Sequence, residues 1–535
     1  MVGRGVRGWT LAAVGVAVLA LAGCVVGCGA RAAPVAEDPV VSTRSGPVRG
    51  TEAAGLRTFQ GIPFAAPPIG EARWQAPQPV EPWREPRDAR TPAPMCIQSP
   101  HDPIPGPQSE DCLYLNVTAP SSARPDKPAP VVVWLYGGGF YQGNAAEYHA
   151  GRLAGAGDVV VVTPSYRLGI FGFLRLPGLP DAGAFGLHDQ QTALRWVRDN
   201  IRSFGGDPGN VTLAGESAGS MSTCGHLTSP SAAGLFHKAV MQSGTCLVEW
   251  PPYPAEGRGY TPYEPPAAVE ATSTATAAEL GCGVPAEVLP CLRGKSTAEL
   301  AERMYGFSPS YGSSVLPEDP AMALRDGRFH HVPVMVGTTR DEARSSITGE
   351  VPSPLPPDAY RELLAEEFGA DAAAVAAEYP PVEGDNGPSY AQIHTDRTWA
   401  YTTEQALDAF SARVPTYGFE FADREAPLYE GMVEKAFPYG AYHGSDVVYL
   451  FDIGGVEAAF TDDQRRLAAE MVGYWARFAH TGDPNGPGPP GWPEYGAARH
   501  VQSLAPGAGG IGAAAYSTEH RLAFWRALHG TAGSR

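Results

Sequence analysis

The sequence predicts a large α/β domain in which helices cover both faces of a mostly parallel β-sheet. Four short apolar runs predict buried strands, because strands covered on both faces show no alternation with polar residues. Helix-compatible stretches separate these runs, and this alternation is typical of a parallel sheet. The four runs are Val131–Leu135, Val159–Val162, Val211–Leu213 and Val332–Val336.

The chain has 535 residues, a length that by itself favours about three or four domains. No linker, internal repeat or change of pattern divides it, however, so one domain over residues 34–535 fits better. The segments Trp250–Pro266 and Thr481–Pro493 are rich in Pro or Gly and are predicted to be surface loops rather than domain boundaries. Residues Arg521–Leu528 predict a packed terminal helix.

Residues 1–33 are predicted to be a targeting segment and tether. Two arginines precede an apolar run ending at Ala22, which is too short for a stable membrane span and is typical of a secretory signal. Residues 21–24, Leu-Ala-Gly-Cys, resemble a bacterial lipobox in which Cys24 carries the lipid. Cys28 follows a weaker version of the pattern, and a plain cleaved signal is the alternative. Each reading places the rest of the chain outside the membrane, on the oxidising side.

The composition excludes some partners. Thirty-nine basic against 57 acidic residues give a net charge of −18, and only four of the basic residues are lysines. Such a chain has no basic surface for nucleic acid. No Cys/His spacing is typical of a metal site, so no metal is expected. The preference for Arg over Lys and the many Ala, Gly and Pro residues resemble a GC-rich bacterial coding style.

Residues 215–219 read Gly-Glu-Ser-Ala-Gly, between the strand-like Val211–Leu213 and a helix-compatible run. A serine on a tight strand-to-helix turn projects its hydroxyl away from the sheet, and glycines flank it because side chains there would collide with neighbouring elements. The five-residue pattern is weak by itself in a chain with 64 glycines. Its context, strand then turn then helix, predicts Ser217 as a nucleophile.

A serine nucleophile needs a general base, an orienting carboxylate and backbone N–H donors for the oxyanion. Tyr136-Gly-Gly-Gly-Phe140 directly follows the apolar run Val131–Leu135. Glycines in this position let the backbone approach a ligand. We expect the amides of Gly138, Gly139 and Ala218 to be the donors, and a merely flexible turn is the alternative.

Further motifs follow in a fixed order: Phe59–Pro68, Ser109–Asn116, Tyr166–Gly169, Phe204–Pro208, Gln242–Gly244, His443–Gly444 and Thr481–Pro484. Together with the serine and glycine motifs they resemble the type B carboxylesterase and cholinesterase family of α/β-hydrolases. The resemblance runs from about Val40 to the C-terminus. It implies an α/β-hydrolase fold and a serine carboxylic-ester hydrolase that needs no cofactor.

The family's acid lies in a Gly-x-x-x-Asp-Glu-Gly segment, which corresponds here to Gly337–Ala343. The resemblance therefore implies Glu342 as the acid. Ala343 departs from the usual glycine, and Asp341 is the second candidate.

The resemblance also implies His443 as the base, and the chain order Ser, Glu, His agrees with the fold. Ser243 resembles a family serine that helps to hold the acid, with a plain turn serine as the alternative. The resulting mechanism is two-step acyl transfer through an acyl-enzyme.

Six cysteines follow the targeting segment. By resemblance, Cys96 pairs with Cys112 and Cys282 with Cys291. The remaining two, Cys224 and Cys246, follow the nucleophile and the Gln242–Gly244 motif, and they form either a third bridge or two buried thiols.

The expected substrates are short to medium neutral esters. Trp250, Tyr141 and Tyr442 are predicted to line the substrate pocket, Trp250 by its resemblance to a family acyl-pocket tryptophan, although each fits the core as well. Cholinesterases bind the quaternary ammonium on aromatic faces, above all a tryptophan in the first disulfide loop. The segment between Cys96 and Cys112 has no aromatic residue, so choline esters should be poor substrates.

Two other classes of protein must be weighed. Adhesion proteins of this superfamily have lost the serine, whereas Ser217, Glu342 and His443 are all present here. A true lipase needs a mobile apolar lid, and the loop between Cys96 and Cys112 is short, polar and Pro-rich.

Overall fold

The structure is a computed structural model that describes residues 38–101, 104–251, 259–429 and 432–532. The predicted targeting segment, with Cys24 and Cys28, lies outside these residues. The chain from Asp38 onward clusters into a single unit.

The central element is an 11-stranded sheet with the order β16-β15-β13-β12-β11-β10-β7-β9-β6-β4-β3. The run from β15 to β9 is parallel throughout, and antiparallel strands complete both edges. The predicted mostly parallel sheet is confirmed, and the four apolar runs lie in β7, β9, β10 and β12. The strands are β1 Val40–Ser42, β2 Pro47–Arg49, β3 Thr51–Ala53, β4 Leu56–Pro63, β5 Arg87–Asp88, β6 Tyr114–Pro120, β7 Ala129–Leu135, β8 Tyr148–His149, β9 Val160–Pro164, β10 Gly206–Glu216, β11 Lys238–Gln242, β12 Val334–Thr339, β13 Thr416–Phe421, β14 Asp452–Ile453, β15 Val501–Leu504 and β16 Ile511–Ala513.

Helices occupy most of the connections, and the predicted terminal helix begins at Leu522 and extends to Ala532. A π-helical turn, Thr395–Ala400, joins α12 to α13. No helix among the described residues is long and apolar enough to cross a membrane. The α-helices are α1 Gly151–Gly157, α2 Gly169–Phe173, α3 Phe185–Asn200, α4 Ala218–Thr228, α5 Pro266–Glu279, α6 Val288–Arg293, α7 Thr297–Ala301, α8 Pro320–Arg325, α9 Arg344–Glu350, α10 Pro357–Phe368, α11 Ala372–Glu378, α12 Gly387–His394, α13 Tyr401–Ser411, α14 Asp462–Thr481, α15 Tyr516–Glu519 and α16 Leu522–Ala532.

The sheet separates two hydrophobic cores, because successive side chains of a strand point to opposite faces. In β7, Val131, Val133 and Leu135 belong to one core, and Val132 and Trp134 belong to the other. Apolar residues of α3, α4 and α13 complete the first core, and those of α1 and α14 complete the second. Burial on both faces explains why these strands read as unbroken apolar runs.

The six cysteines in the described part of the chain form three disulfide bridges. Cys96 pairs with Cys112 and Cys282 with Cys291, as the resemblance implied. Cys224 and Cys246 are also bonded, which decides between the two alternatives left by the sequence. This bridge joins α4, the helix that begins directly after Ser217, to the segment that follows β11.

Candidate active site

Ser217 occupies the sharp turn between β10 and α4. Its φ of 54° and ψ of −122° are strained for a residue with a side chain. The flanking glycines are required sterically, since a methyl group at Gly219 would lie 1.9 Å from the carbonyl oxygen of Leu135. A methyl group at Gly215 would lie 2.4 Å from the carbonyl carbon of Gly219. The turn therefore has the strained strand-to-helix geometry that a nucleophile elbow requires.

The glycine run after β7 lies directly against this elbow. A methyl group at Gly137 would lie 2.8 Å from the Cβ of Ser217. Gly138 and Gly139 adopt positive φ values of 105° and 59°, which favour glycine, and they turn the backbone sharply. The structure thus brings the predicted oxyanion loop and the predicted nucleophile together.

Glu342 and His443 are in direct contact. The Oε2 atom of Glu342 lies 2.5 Å from Nδ1 of His443, and its Oε1 atom accepts a hydrogen bond of 2.8 Å from the Thr339 amide. The carboxylate is fully buried, whereas 25% of the His443 side chain is exposed. A carboxylate in this position fixes the tautomer of the imidazole and leaves Nε2 to exchange protons.

Asp341, the second candidate for the acid, has other partners. Its carboxylate accepts two hydrogen bonds from Arg424, at 2.9 and 3.0 Å, and one of 3.0 Å from the Ala441 amide. Asp341 therefore holds the loop that carries His443, without touching the imidazole.

Two neighbours of the acid differ from the family expectation. The amide of Ala343, which replaces the usual glycine, donates a hydrogen bond of 3.1 Å to Oγ1 of Thr395. Ser243 is fully buried, but its hydroxyl has no hydrogen-bond partner among the described residues. Its amide donates to the carbonyl of Gly337 at 2.8 Å, so its observed role is to hold the turn beneath the elbow.

Glu216, the residue before Ser217, is a second carboxylate at His443, and it was not predicted from the sequence. Its Oε1 atom lies 3.2 Å from Nε2 of His443. Burial raises the pKa of Glu216. Burial lowers the pKa of His443, but the carboxylates of Glu216 and Glu342 outweigh it and raise that pKa overall. At this separation the proton belongs to the pair rather than to either group. The only sequence signal was its place within the serine motif.

The three predicted pocket residues have different surroundings. Tyr141 lies over the oxyanion loop, since a methyl group at Gly139 would meet its ring at 2.4 Å. Trp250 packs edge-to-face on Trp399, at 5.8 Å between ring centroids. Tyr442 is 1% exposed and donates a hydrogen bond to the Pro427 carbonyl, a contact typical of a core residue.

Trp399 is a further site residue that the sequence gave no reason to select. Its indole lies 4.7 Å from the imidazole of His443, measured between ring centroids. It lies far from the serine, acid and histidine motifs along the chain, and only the π-helical turn brings it to the site.

Comparison with known proteins decides the family. Residues 37–525 match the model of the carboxylesterase family. The chain belongs to this family. It is 36% identical to the para-nitrobenzyl esterase of Bacillus subtilis (strain 168), a match that covers 85% of this chain and 92% of the relative. It is 32% identical to carboxylesterase 4A of Bos taurus, over 92% of this chain and 95% of the relative.

Solved structures agree with this assignment to the carboxylesterases. A thermophilic PNB esterase superposes with a TM-score of 0.75 at 31% identity, covering 91% of this chain and 99% of that one. The protein is therefore a carboxylic ester hydrolase with an α/β-hydrolase fold, which confirms the family resemblance. Among the described residues, no group of three or more His, Cys, Asp or Glu side chains could hold a metal ion.

Proposed function

We propose that this carboxylesterase cleaves short to medium neutral esters by two-step acyl transfer, with Ser217, His443 and Glu342 as the catalytic residues. The single observation that carries the proposal is the 2.5 Å contact between Nδ1 of His443 and Glu342. Because this contact engages Nδ1, Nε2 is the nitrogen directed toward the elbow. Nε2 lies 3.2 Å from Oε1 of Glu216, the residue that precedes Ser217.

In the first step, His443 accepts the proton of the Ser217 hydroxyl while the oxygen attacks the ester carbonyl. Glu342 stabilises the imidazolium, which then protonates the departing alcohol. Water repeats the sequence against the acyl-enzyme, releases the acid and restores the serine. No cofactor takes part.

The amides of Gly138, Gly139 and Ala218 are the proposed oxyanion donors. The glycine run is adjacent to Ser217, since a methyl group at Gly137 would lie 2.8 Å from the Cβ of Ser217. Ala218 is the first residue of the helix that follows Ser217. A missing donor typically slows acyl transfer about 10²- to 10³-fold, so this arrangement is as important as the base.

The proposed substrate class follows from the aromatic residues. Trp250 and Tyr141 are aromatic and uncharged, and they favour flat acyl or aryl groups. Without an aromatic residue between Cys96 and Cys112, choline esters lose a cation–π contact worth up to ~2 kcal/mol, a factor of about 30.

The lipase alternative needs a mobile lid, whereas the described part of the loop between Cys96 and Cys112 is anchored. Gln98 in this loop is 2% exposed. Its side-chain amide donates to the Gly143 carbonyl at 2.7 Å and accepts from the Gly143 amide at 3.0 Å. The loop is thereby tied to the segment that follows the oxyanion glycines.

The decisive experiment combines one substitution with a panel of esters. Ser217→Ala should lower turnover of p-nitrophenyl acetate by ~10⁴- to 10⁶-fold and abolish labelling by a fluorophosphonate probe. Ser220→Ala is the matched control, because it removes a buried hydroxyl from the helix that follows Ser217. The hydroxyl of Ser220 donates a hydrogen bond to the Gly244 carbonyl. A Ser217→Ala variant with a tenth of wild-type turnover would exclude the proposal.

The panel varies chain length and compares butyrylcholine with its uncharged isostere, 3,3-dimethylbutyl butyrate. We expect a higher kcat/KM for the uncharged ester. A preference for the charged ester that persists at high salt would contradict the proposed substrate class.

We further propose that the protein acts outside the cytoplasm, anchored by a lipid on Cys24. The three disulfides of the described residues are typical of an oxidising compartment. Cys24→Ser should release the protein from the membrane fraction, and Cys28→Ser should have a much smaller effect. If the wild-type protein is already absent from the membrane fraction, a plain secreted protein is the better description.

A further inference from the structure

The imidazole of His443 has two polar edges and two faces, and each edge already meets a carboxylate. Nδ1 lies 2.5 Å from Glu342, and Nε2 lies 3.2 Å from Glu216. Trp399 covers one face, with its ring centroid 4.7 Å away and the two planes inclined by 42°. Hydrogen bonds at the two edges do not prevent a ring from tilting, whereas an indole packed against its face does.

Trp399 is itself held firmly in place. It lies in the π-helical turn Thr395–Ala400, and such turns are frequent at functional sites. Trp250 packs edge-to-face against it, at 5.8 Å between centroids. Thr395, in the same turn, accepts a hydrogen bond of 3.1 Å from the amide of Ala343, the residue after the acid. One turn of backbone thus contacts both the acid's segment and the base.

The proposed mechanism makes His443 an imidazolium in each of its two steps. A cation over the face of a tryptophan within about 6 Å of the ring centroid is attracted by the ring quadrupole, and the attraction grows when water is excluded. Trp399 is 8% exposed, so little water lies between the two rings.

We propose that Trp399 is a positioning residue for His443: its indole face stabilises the protonated imidazole and keeps the ring between Glu342 and Ser217. This inference rests on the assignment of His443 as the general base. It differs from a role as pocket wall, in which Trp399 would contact only the substrate.

The sign of the expected effect follows from the contact. The charged groups that face His443 are Glu216, Glu342 and Asp446, all of them acidic, and a Trp399 variant leaves them in place. Removing the indole removes stabilisation of the protonated form only. The pKa of His443 should therefore fall and the acidic limb of kcat/KM should move to lower pH, while the plateau rate should also fall.

The test is the pH profile of kcat/KM for p-nitrophenyl acetate in Trp399→Leu and Trp399→Phe. For Trp399→Leu we expect the acidic limb to move down by about one pH unit and the plateau kcat to fall about 10-fold. Trp399→Phe keeps an aromatic face and should recover most of both losses.

Tyr401→Leu is the matched control. Tyr401 is 7% exposed, begins the helix after the π turn and stacks on another imidazole, that of His529, at 4.7 Å. The Tyr401→Leu variant therefore loses a similar aromatic contact away from the site, and its pH profile should match that of the wild type.

The outcomes are distinguishable. A Trp399→Leu variant with an unshifted acidic limb and only a changed KM or acyl-chain preference would overturn the proposal and make Trp399 a pocket wall. An equal shift in Tyr401→Leu would also overturn it, because the effect would then come from general destabilisation. If Ser217→Ala stays active, the proposed mechanism itself fails, whatever Trp399 does.

Discussion

Two histidines in this protein each lie between two carboxylates. His443 contacts Glu342 at 2.5 Å and Glu216 at 3.2 Å. His520 contacts Asp396 and Glu420, both at 2.6 Å. The exposed fraction of the side chain is 25% for His443 and 1% for His520.

The surroundings of the carboxylates make the difference. Around His520 they have cationic partners, since Arg340 donates to Glu420 at 2.7 Å and Arg521 approaches Asp396 at 3.4 Å. Both ring nitrogens are fully engaged there, so the imidazolium acts as a permanent bridge between β13, the π turn and the C-terminal helices. In the described part of the chain no such arginine contacts Glu216 or Glu342, and Nε2 of His443 lies 3.2 Å from Glu216, the residue before the strained Ser217. A histidine that lies between two carboxylates can act as a general base only if one of its ring nitrogens is able to release its proton.

The largest expected effect separates these two roles. His443→Gln should lower kcat by ~10⁴-fold or more, with little change in melting temperature. His520→Gln should leave turnover per folded molecule within a few-fold but cost about 3–5 kcal/mol of stability, because it removes the cation that lies between two buried carboxylates. Turnover and calorimetry on both variants provide the measurement. Comparable losses of activity per folded molecule would contradict the distinction.

The next prediction concerns the acids. Glu342→Gln keeps the shape of the side chain but removes the charge that stabilises the imidazolium, so kcat should fall by ~10³- to 10⁴-fold. Asp341→Asn is the matched control. It lies next in the chain and is equally buried, but it binds Arg424 and the Ala441 amide. We expect it to lower the melting temperature and to reduce kcat far less. The reverse ranking would assign the orienting role to Asp341.

The arrangement of the candidate site was predictable where chemistry and local geometry coincide. Ser217 stands in a motif whose glycines are dictated by sterics, and the acid and histidine follow from family order. Trp399 and Glu216 were not predictable as partners of His443. Their roles depend on a π turn and on a 3.2 Å approach at the carboxyl end of β10, and no local pattern encodes either contact.

The fold shows the same division. Apolar runs predicted four parallel strands, because strands that are buried on both faces consist of unbroken apolar residues. The antiparallel edge strands β3, β4 and β16 are partly exposed, so no unbroken apolar run marked them.

A smaller effect should appear in alkaline solution. Burial opposes the protonation of His520, but Asp396 and Glu420 outweigh it and raise its pKa to about 10. Because the pKa of His520 is higher in the folded than in the unfolded state, the protonated imidazole contributes its full stabilisation below pH 6.5, the pKa of the unfolded state. That contribution is lost as the pH approaches 10. The gap in melting temperature between wild type and His520→Gln should therefore narrow from pH 7 to pH 10. A gap that stays constant would show that His520 is not the titrating group.

The smallest expected effect concerns Glu216, which gives His443, the proposed base, a second carboxylate partner like those of His520. Its charge raises the pKa of His443, so Glu216→Gln should move the acidic limb of kcat/KM to lower pH, by about one unit at most. Glu147→Gln is the matched control, because burial raises the pKa of Glu147 to about 7 but its charge does not act on His443. An unshifted limb in Glu216→Gln would mean that Glu216 carries the shared proton, and that His443 titrates beside a neutral acid. In that case the acids beside the two histidines would also differ, since burial raises the pKa of Glu216, whereas His520 and Arg340 outweigh burial and lower the pKa of Glu420.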